Sequence, residues 1–332
     1  MKNDRMNAGV VRPILMMWLT VLFTVVSQTA AASDLKDVTL RLKWVHQAQF
    51  AGFYAAKEKG FYEEAGLNVE IRPGGVDFPA VQMVASGSED FGITGADQIL
   101  LAREKGVPIQ AVGAVYRKTP FALFALADSG IETLEDLQGK LVGVKLGGNE
   151  ELTYRAMVQA AGLNKTAIRE IPVKYDLSPL LNGQVQAWPG YVINEVISVE
   201  EKGHDVNVIS PEDYGINFYA DTLFTRNDLM ESDPAVVQAF VRASFRGWAY
   251  ALENPEEAAR FGLEYSDRLN FEHELAMMKA SIPLLAPEQP PLGNMTEMAW
   301  QDLQEQLLSL GFLDEKQELG DVYTNEFLEQ AE

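Results

Sequence analysis

Strand-like and helix-like segments alternate along most of the chain, which predicts an α/β fold of two lobes. Three observations carry that expectation. Short apolar runs bounded by Gly, Pro or Asp recur between longer helical patterns. The alternation pauses and restarts near residues 118–124 and again near 218–224, as two crossings between lobes would require. The composition, 47% hydrophobic and 23% charged over 332 residues, is that of a globular protein. Parallel sheets covered by helices on both faces are expected. Ligands of such sheets lie beyond the carboxyl ends of the strands, so a cleft between facing lobes is the expected site.

The elements follow in order. Residues 1–32 read as a signal peptide: Lys2, Arg5 and Arg12, then the apolar run Ile14–Val26, then small residues with Ala30 and Ala32 at A-x-A places. Thirteen apolar residues are too few to span a bilayer, which needs about 20. No cysteine follows the run, so the mature chain is expected to be soluble and without a lipid anchor. Thr39–Trp44 alternates as a strand does, and Phe50–Lys59 is helical and ends at Gly60. Strand Val69–Ile71, helix Pro79–Ser86 and strand Phe91–Ile93 follow, then helix Asp97–Lys105 with Asp97 as its cap, and strand Ile109–Val115.

The second set runs through strand Phe121–Ala125, a short helix at Thr133–Leu137 and strand Leu141–Lys145. A helix opens at Gly147-Gly148-Asn149. Strand Arg169–Val173, helix Leu177–Leu181, strand Val185–Trp188, helix Val192–Glu201 and strand Val206–Ile209 complete it. Phe218–Phe224 reads as a strand leading back. From Pro234 the chain is mostly helical, broken at the Pro-rich stretch Pro283–Pro291.

Composition excludes several functions. With 27 Lys+Arg against 48 Asp+Glu, the chain lacks the basic clusters of a nucleic-acid binder. No cysteine means no disulfide, thiolate metal site, Fe–S cluster or cysteine nucleophile. Three histidines, His46, His204 and His273, make no His-rich metal site, so neither metal nor cofactor is expected. No G-x-x-x-x-G-K-[ST], G-x-S-x-G or H-E-x-x-H occurs, nor a G-x-G-x-x-G after a strand. Gly147-Gly148-Asn149 is the nearest approach to an anion-holding helix start.

The segment LKWVHQAQFAGFYAAKEKGFYEEAGLNVEI, Leu42–Ile71, resembles the periplasmic substrate-binding proteins of ABC importers. The branch it resembles contains thiamine-precursor (pyrimidine) binders and the fungal-type pyrimidine synthase, and more distantly alkanesulfonate and nitrate binders. The likeness continues through Val84–Val115, Leu134–Val144, Asn182–Glu195 and Tyr323–Leu328, where YTNEFL points toward the pyrimidine side. Gln186 departs from the Asp that relatives often carry in G-x-[VI]-D-A.

The resemblance implies a type II, two-lobed fold, with lobe 1 at residues 33–120 and 221–332 and lobe 2 at residues 121–220. Hinges fall near Lys118–Phe121 and Ala220–Leu223, and closure draws its free energy from a ligand touching both lobes. It also implies an exported monomer of the periplasm that passes a small heteroaromatic ligand, a thiamine pyrimidine precursor first, to an ABC permease and its ATPase. Sulfonate, nitrate or riboflavin binding and a ligand-sensing role are the alternatives. The synthase reading fails on residues, because Thr94 and Gln98 stand where its cofactor lysine and its reacting histidine belong. No catalytic residue is assigned.

A flat ligand is held best between aromatic faces and oriented by a few convergent hydrogen bonds. At the strand ends of the first lobe this selects Trp44, His46, Asp97 and Tyr116. In the second lobe it selects Asn149 as a helix cap, then Trp188 and Tyr191 flanking Pro189-Gly190, and Glu195 on the same helix face as Tyr191. Tyr214 and Tyr219 near the return crossing are further candidates. Met277-Met278 and Leu307–Leu310 read as core, and Glu256-Glu257 as solvated surface.

Overall fold

Residues 35–328, apart from 287, 289 and 290, are described by a computed structural model. The expected signal peptide lies outside the described residues. Among the described residues no helix is long and apolar enough to cross a membrane.

Among the described residues ten strands form the sheets: β1 (Lys36–Arg41), β2 (Leu67–Arg72), β3 (Phe91–Thr94), β4 (Ile109–Ala114), β5 (Phe121–Leu126), β6 (Leu141–Val144), β7 (Arg169–Pro172), β8 (Trp188–Tyr191), β9 (Val206–Ile209) and β10 (Thr222–Arg226). The first sheet has the order β2-β1-β3-β10-β4. The second places β5 between β8 and β9, with β6-β7 as a neighbouring parallel pair. A bridge between Val142 and Ala187 links that pair to the start of β8.

The sheets are mixed, which corrects the expectation of parallel ones. β1 runs parallel to β2 and β3, but β10 is antiparallel to β3 and β4, and β5 is antiparallel to β8 and β9. The reason is the path of the chain. A segment that crosses between the sheets enters its new sheet at the end where the parallel strands finish, so it must run against them.

Alternation set several strands as expected. β2 buries Leu67, Val69 and Ile71 and exposes Asn68 and Glu70, the period-2 signature of a strand covered on one face. The helix Ala51–Glu58 buries its small residues against the long helix Pro234–Glu253. At that crossing a Cβ on Gly247 would fall 2.2 Å from the carbonyl oxygen of Gly52, so the two backbones meet directly. Phe240 of the long helix stacks on Phe91 at 4.0 Å and on Tyr62 at 5.3 Å. Each such pair contributes about 0.5–1.5 kcal/mol beyond burial. Met277, Met278 and Leu307 are core, as expected.

Four local readings change. The strand expected at Val185–Trp188 forms at Trp188–Tyr191, paired to Phe121–Phe124. Pro189, which has no N–H to donate, sits within it, and β8 is an edge of its three-stranded sheet. The helix expected at Val192–Glu201 begins as a π-turn, Val192–Val196, before Ile197–Glu200 becomes α. The caps differ too: Gly95, not Asp97, caps the helix Ala96–Glu104, and Gly147, not Asn149, caps the helix Gly148–Ala160. Asp97 and Asn149 lie inside the first turns instead, with their side chains released for other contacts.

Candidate functional site

The parallel strands of the first sheet all finish at one end, and the chain just beyond them carries Lys43, Trp44 and Asp97. Asp221 meets them there because β10 starts, rather than finishes, at that end. In the other lobe, Lys145 follows β6, Tyr175 follows β7 and Tyr191 ends β8. These two groups of side chains come into contact.

Lys43 is the link. Its Nζ donates to Tyr191 Oη at 3.0 Å, to Asp221 Oδ1 at 3.1 Å and to the Ala220 carbonyl at 3.3 Å. Gln49 Nε2 donates to the other Asp221 oxygen at 2.8 Å. Tyr191 Oη in turn donates to Asn149 Oδ1 at 3.0 Å. Burial opposes the charge on Lys43, yet Asp221 and Tyr191 outweigh it and hold the ammonium above the ordinary lysine range. The same burial pushes the Tyr191 phenol up.

A second cation balances the opposite wall. Lys145 donates to Glu195 Oε1 at 2.9 Å and to Glu150 Oε1 at 3.1 Å. Burial again opposes its charge, and the two carboxylates more than restore it. Glu150 is pushed up by burial, with Lys145 offsetting only part of the effect. Glu195 also accepts the backbone N–H of Tyr191 at 2.9 Å. Tyr191 therefore belongs to the strand and Glu195 to the π-turn that follows, which corrects the expectation of a shared helix face. Glu195 reaches back over the junction and closes it.

Above these groups Trp44 and Tyr175 touch, with ring centroids 4.5 Å apart, and Lys145 lies 4.6 Å from the Tyr175 ring. Tyr175 is 51% exposed.

Asp97 is wholly buried. Its Oδ2 accepts from Gln98 Nε2 at 2.7 Å, whereas its Oδ1 has no partner among the described residues. Burial pushes its carboxyl up, and Gln98 and Lys43 offset part of that. Asn149 Nδ2 also has no partner.

The structure thus brings Trp44, Asp97, Asn149, Tyr191 and Glu195 to one place, with Tyr116 beneath them. The Tyr116 hydroxyl donates to the Gln49 carbonyl at 3.1 Å and lies 2.9 Å from Ser281 Oγ, so its polar capacity is used within the protein. Trp188 and His46 do not join. Trp188 is 1% exposed and packs with Phe124, Leu180, Val185, Val196 and Val199 in the second lobe's own core. The shift of the strand to Trp188–Tyr191 turned it inward. His46 lies 3.0 Å from Tyr54 Oη and packs against Tyr265, and burial lowers its pKa. Tyr214 and Tyr219 hold the return crossing through the Leu134 N–H and Thr296. Gln186 accepts the Leu141 N–H at 2.9 Å and so continues the sheet rather than facing the cleft.

Sequence reasoning missed Lys43, Lys145, Glu150, Tyr175 and Asp221. Lys43 and Lys145 each follow a strand by no more than two residues, a placement that marks them in the same way it marked Trp44.

This mixed polar and aromatic cluster lies between two α/β halves and beyond their strand ends. Residues 47–258 match the model described as NMT1/THI5 like. The chain belongs to the NMT1/THI5-like family. One relative is the formylaminopyrimidine-binding protein of Halalkalibacterium halodurans, 30% identical over 300 residues that cover 87% of this chain and 91% of that one. Another is the riboflavin-binding protein RibY of Chloroflexus aurantiacus, 26% identical, covering 90% and 88%. Chains named 4-amino-5-hydroxymethyl-2-methylpyrimidine phosphate synthase also match, among them that of Legionella pneumophila at 25% identity over 90% of this chain and 94% of its own. Among solved structures, the periplasmic aliphatic sulphonate binding protein SsuA of Escherichia coli superimposes with a TM-score of 0.69 at 16% identity, covering 90% of this chain and 95% of that one. The fold is the two-lobed, type II periplasmic-binding-protein fold.

Proposed function

We propose that this chain is the solute-binding component of an ABC importer, that it works outside the cytoplasm, and that its cargo is a thiamine pyrimidine precursor. The observation that carries the reading is the contact of both lobes in one small polar cluster, Lys43 with Tyr191 and Asn149, under the Trp44–Tyr175 pair. A ligand seated there touches both halves, and only such a ligand shifts an open–closed equilibrium. On this reading lobe 1 comprises residues 33–120 and 221–332, lobe 2 residues 121–220, and bending occurs where the chain passes from β4 to β5 and from β9 to β10. The relative named for formylaminopyrimidine supports the ligand class.

Binding rather than catalysis is supported by Thr94, which ends β3, and Gln98, in the helix that follows. Thr94 forms no Schiff base, and Gln98 is occupied in holding Asp97. RibY is the observation that favours a second ligand, an isoalloxazine. Mass spectrometry of molecules released from the purified chain, followed by calorimetry with aminopyrimidines, riboflavin, taurine and nitrate, tests the proposal. Micromolar or tighter pyrimidine binding is expected. Tight taurine binding with no pyrimidine response overturns the ligand and leaves the transport role.

A further inference from the structure

Two buried side-chain atoms near Gly95, Asp97 Oδ1 and Asn149 Nδ2, have no partner among the described residues, and they are of opposite polarity. Lys43 has donors only, so its bond to Tyr191 makes the phenol oxygen an acceptor there. The phenol proton must then pass onward, and Asn149 must present its carbonyl oxygen to receive it. The amide nitrogen Nδ2 is thereby turned away from Tyr191, buried and without a partner. Asp97 comes from the other lobe with one oxygen held by Gln98 and Oδ1 free. Both side chains crowd one point. A Cβ built on Gly95 would fall 2.2 Å from Asp97 Oδ1 and 3.1 Å from Asn149 Cβ, so glycine is what lets them approach. Buried polar atoms are almost always paired, and here an acceptor and a donor, on two side chains that both approach Gly95, have no partner among the described residues.

We propose that Asp97 Oδ1 and Asn149 Nδ2 together read the edge of a planar nitrogen heterocycle that carries an N–H donor next to a hydrogen-bond acceptor. This rests on the solute-binding reading and sharpens it. An amino group beside a ring nitrogen has that edge, and so does a ring imide N–H beside its carbonyl. Alkanesulfonates and nitrate have only acceptors, and face Asp97 with repulsion and no proton to share. Closure brings the two atoms to the same ligand edge, so neither lobe reads it alone.

Calorimetry on the full mature chain tests this with 4-amino-2,5-dimethylpyrimidine, its analogue lacking the amino group, uracil and methanesulfonate. Loss of the amino group is expected to weaken binding by roughly a hundredfold or more, because it leaves the buried Asp97 oxygen unanswered. Asp97→Leu is expected to lose affinity by a similar factor while its unliganded melting temperature does not fall. Asp97→Asn, which keeps an accepting oxygen, recovers most of the binding. If the wild type binds the aminopyrimidine and Asp97→Leu binds it equally well, the edge reading is overturned and the pyrimidine reading stands. If the wild type ignores the aminopyrimidine but binds uracil, and Asp97→Leu abolishes that, the edge reading holds and the precursor assignment fails. Tight methanesulfonate binding by the wild type overturns both.

Discussion

The two sides of the cleft floor are built to different rules. Around Lys43 and Lys145 the charges are answered: Asp221 receives Lys43 and Gln49, and Glu195 receives Lys145 and a backbone N–H. Around Gly95, Asp97 and Asn149 each make one bond and leave one atom open. The first arrangement holds side chains still at a junction between lobes, since an uncompensated buried charge is costly. The second tolerates an energetic penalty that a ligand can remove. A site is recognised here by what it leaves unpaired, and the paired side is what keeps those atoms in place.

Breaking the paired side should have the largest effect. Lys43→Met strands Asp221 in the interior and removes the donor to Tyr191, and is expected to destabilise the unliganded chain by about 3–5 kcal/mol. Urea unfolding measures this, and a loss below about 1 kcal/mol would show that the network does not hold the junction. Lys145→Met leaves Glu150 and Glu195 facing each other, with an expected loss of about 2–3 kcal/mol at neutral pH. That loss should shrink in acid, because burial holds the Glu150 carboxyl above its usual range and it protonates early.

The Trp44–Tyr175 pair comes next. Trp44→Ala is expected to weaken binding of a flat heteroaromatic about tenfold with little change in melting temperature. Equal affinity for the variant would remove the aromatic pair from the site.

The unpaired side should respond in the opposite sense. Asp97 there, like Glu150 on the paired side, has a folded-state pKa raised by burial, so the folded chain binds more protons than the unfolded one above the ordinary values of 3.8 and 4.5. Their contribution to stability therefore falls as pH rises through that window. Asp97→Asn should flatten this decline and stabilise the unliganded chain at pH 7 by about 1 kcal/mol. Unfolding of both proteins from acid to neutral pH decides it; a steeper decline in the variant contradicts the assignment.

Much of this was legible in the residues. The alternation of elements and the strand that follows its restart, Phe121–Leu126, follow from hydrophobic period and turn chemistry. Trp44, Asp97, Asn149, Tyr191 and Glu195 were reachable because strand ends and helix starts are local features. Trp188 was misplaced because the alternating run Val185–Trp188 looks like a strand, whereas pairing with Phe121–Phe124 selects residues 188–191. Asp97 and Asn149 were read as caps because both side chains often cap, and nothing local shows that glycines at 95 and 147 take that place.

By itself, then, the order of residues determined which segments become strands and helices and which faces of them avoid water. Tertiary structure alone decided that β10 and β5 run against their neighbours, that Lys43 meets Tyr191 from the other lobe, and that Asp97 and Asn149 converge beside Gly95. Periodicity reports only whether a side chain is wet or dry. Which dry side chain meets which depends on contacts between residues more than a hundred positions apart, as Lys43 and Tyr191 are, and no local pattern carries that information.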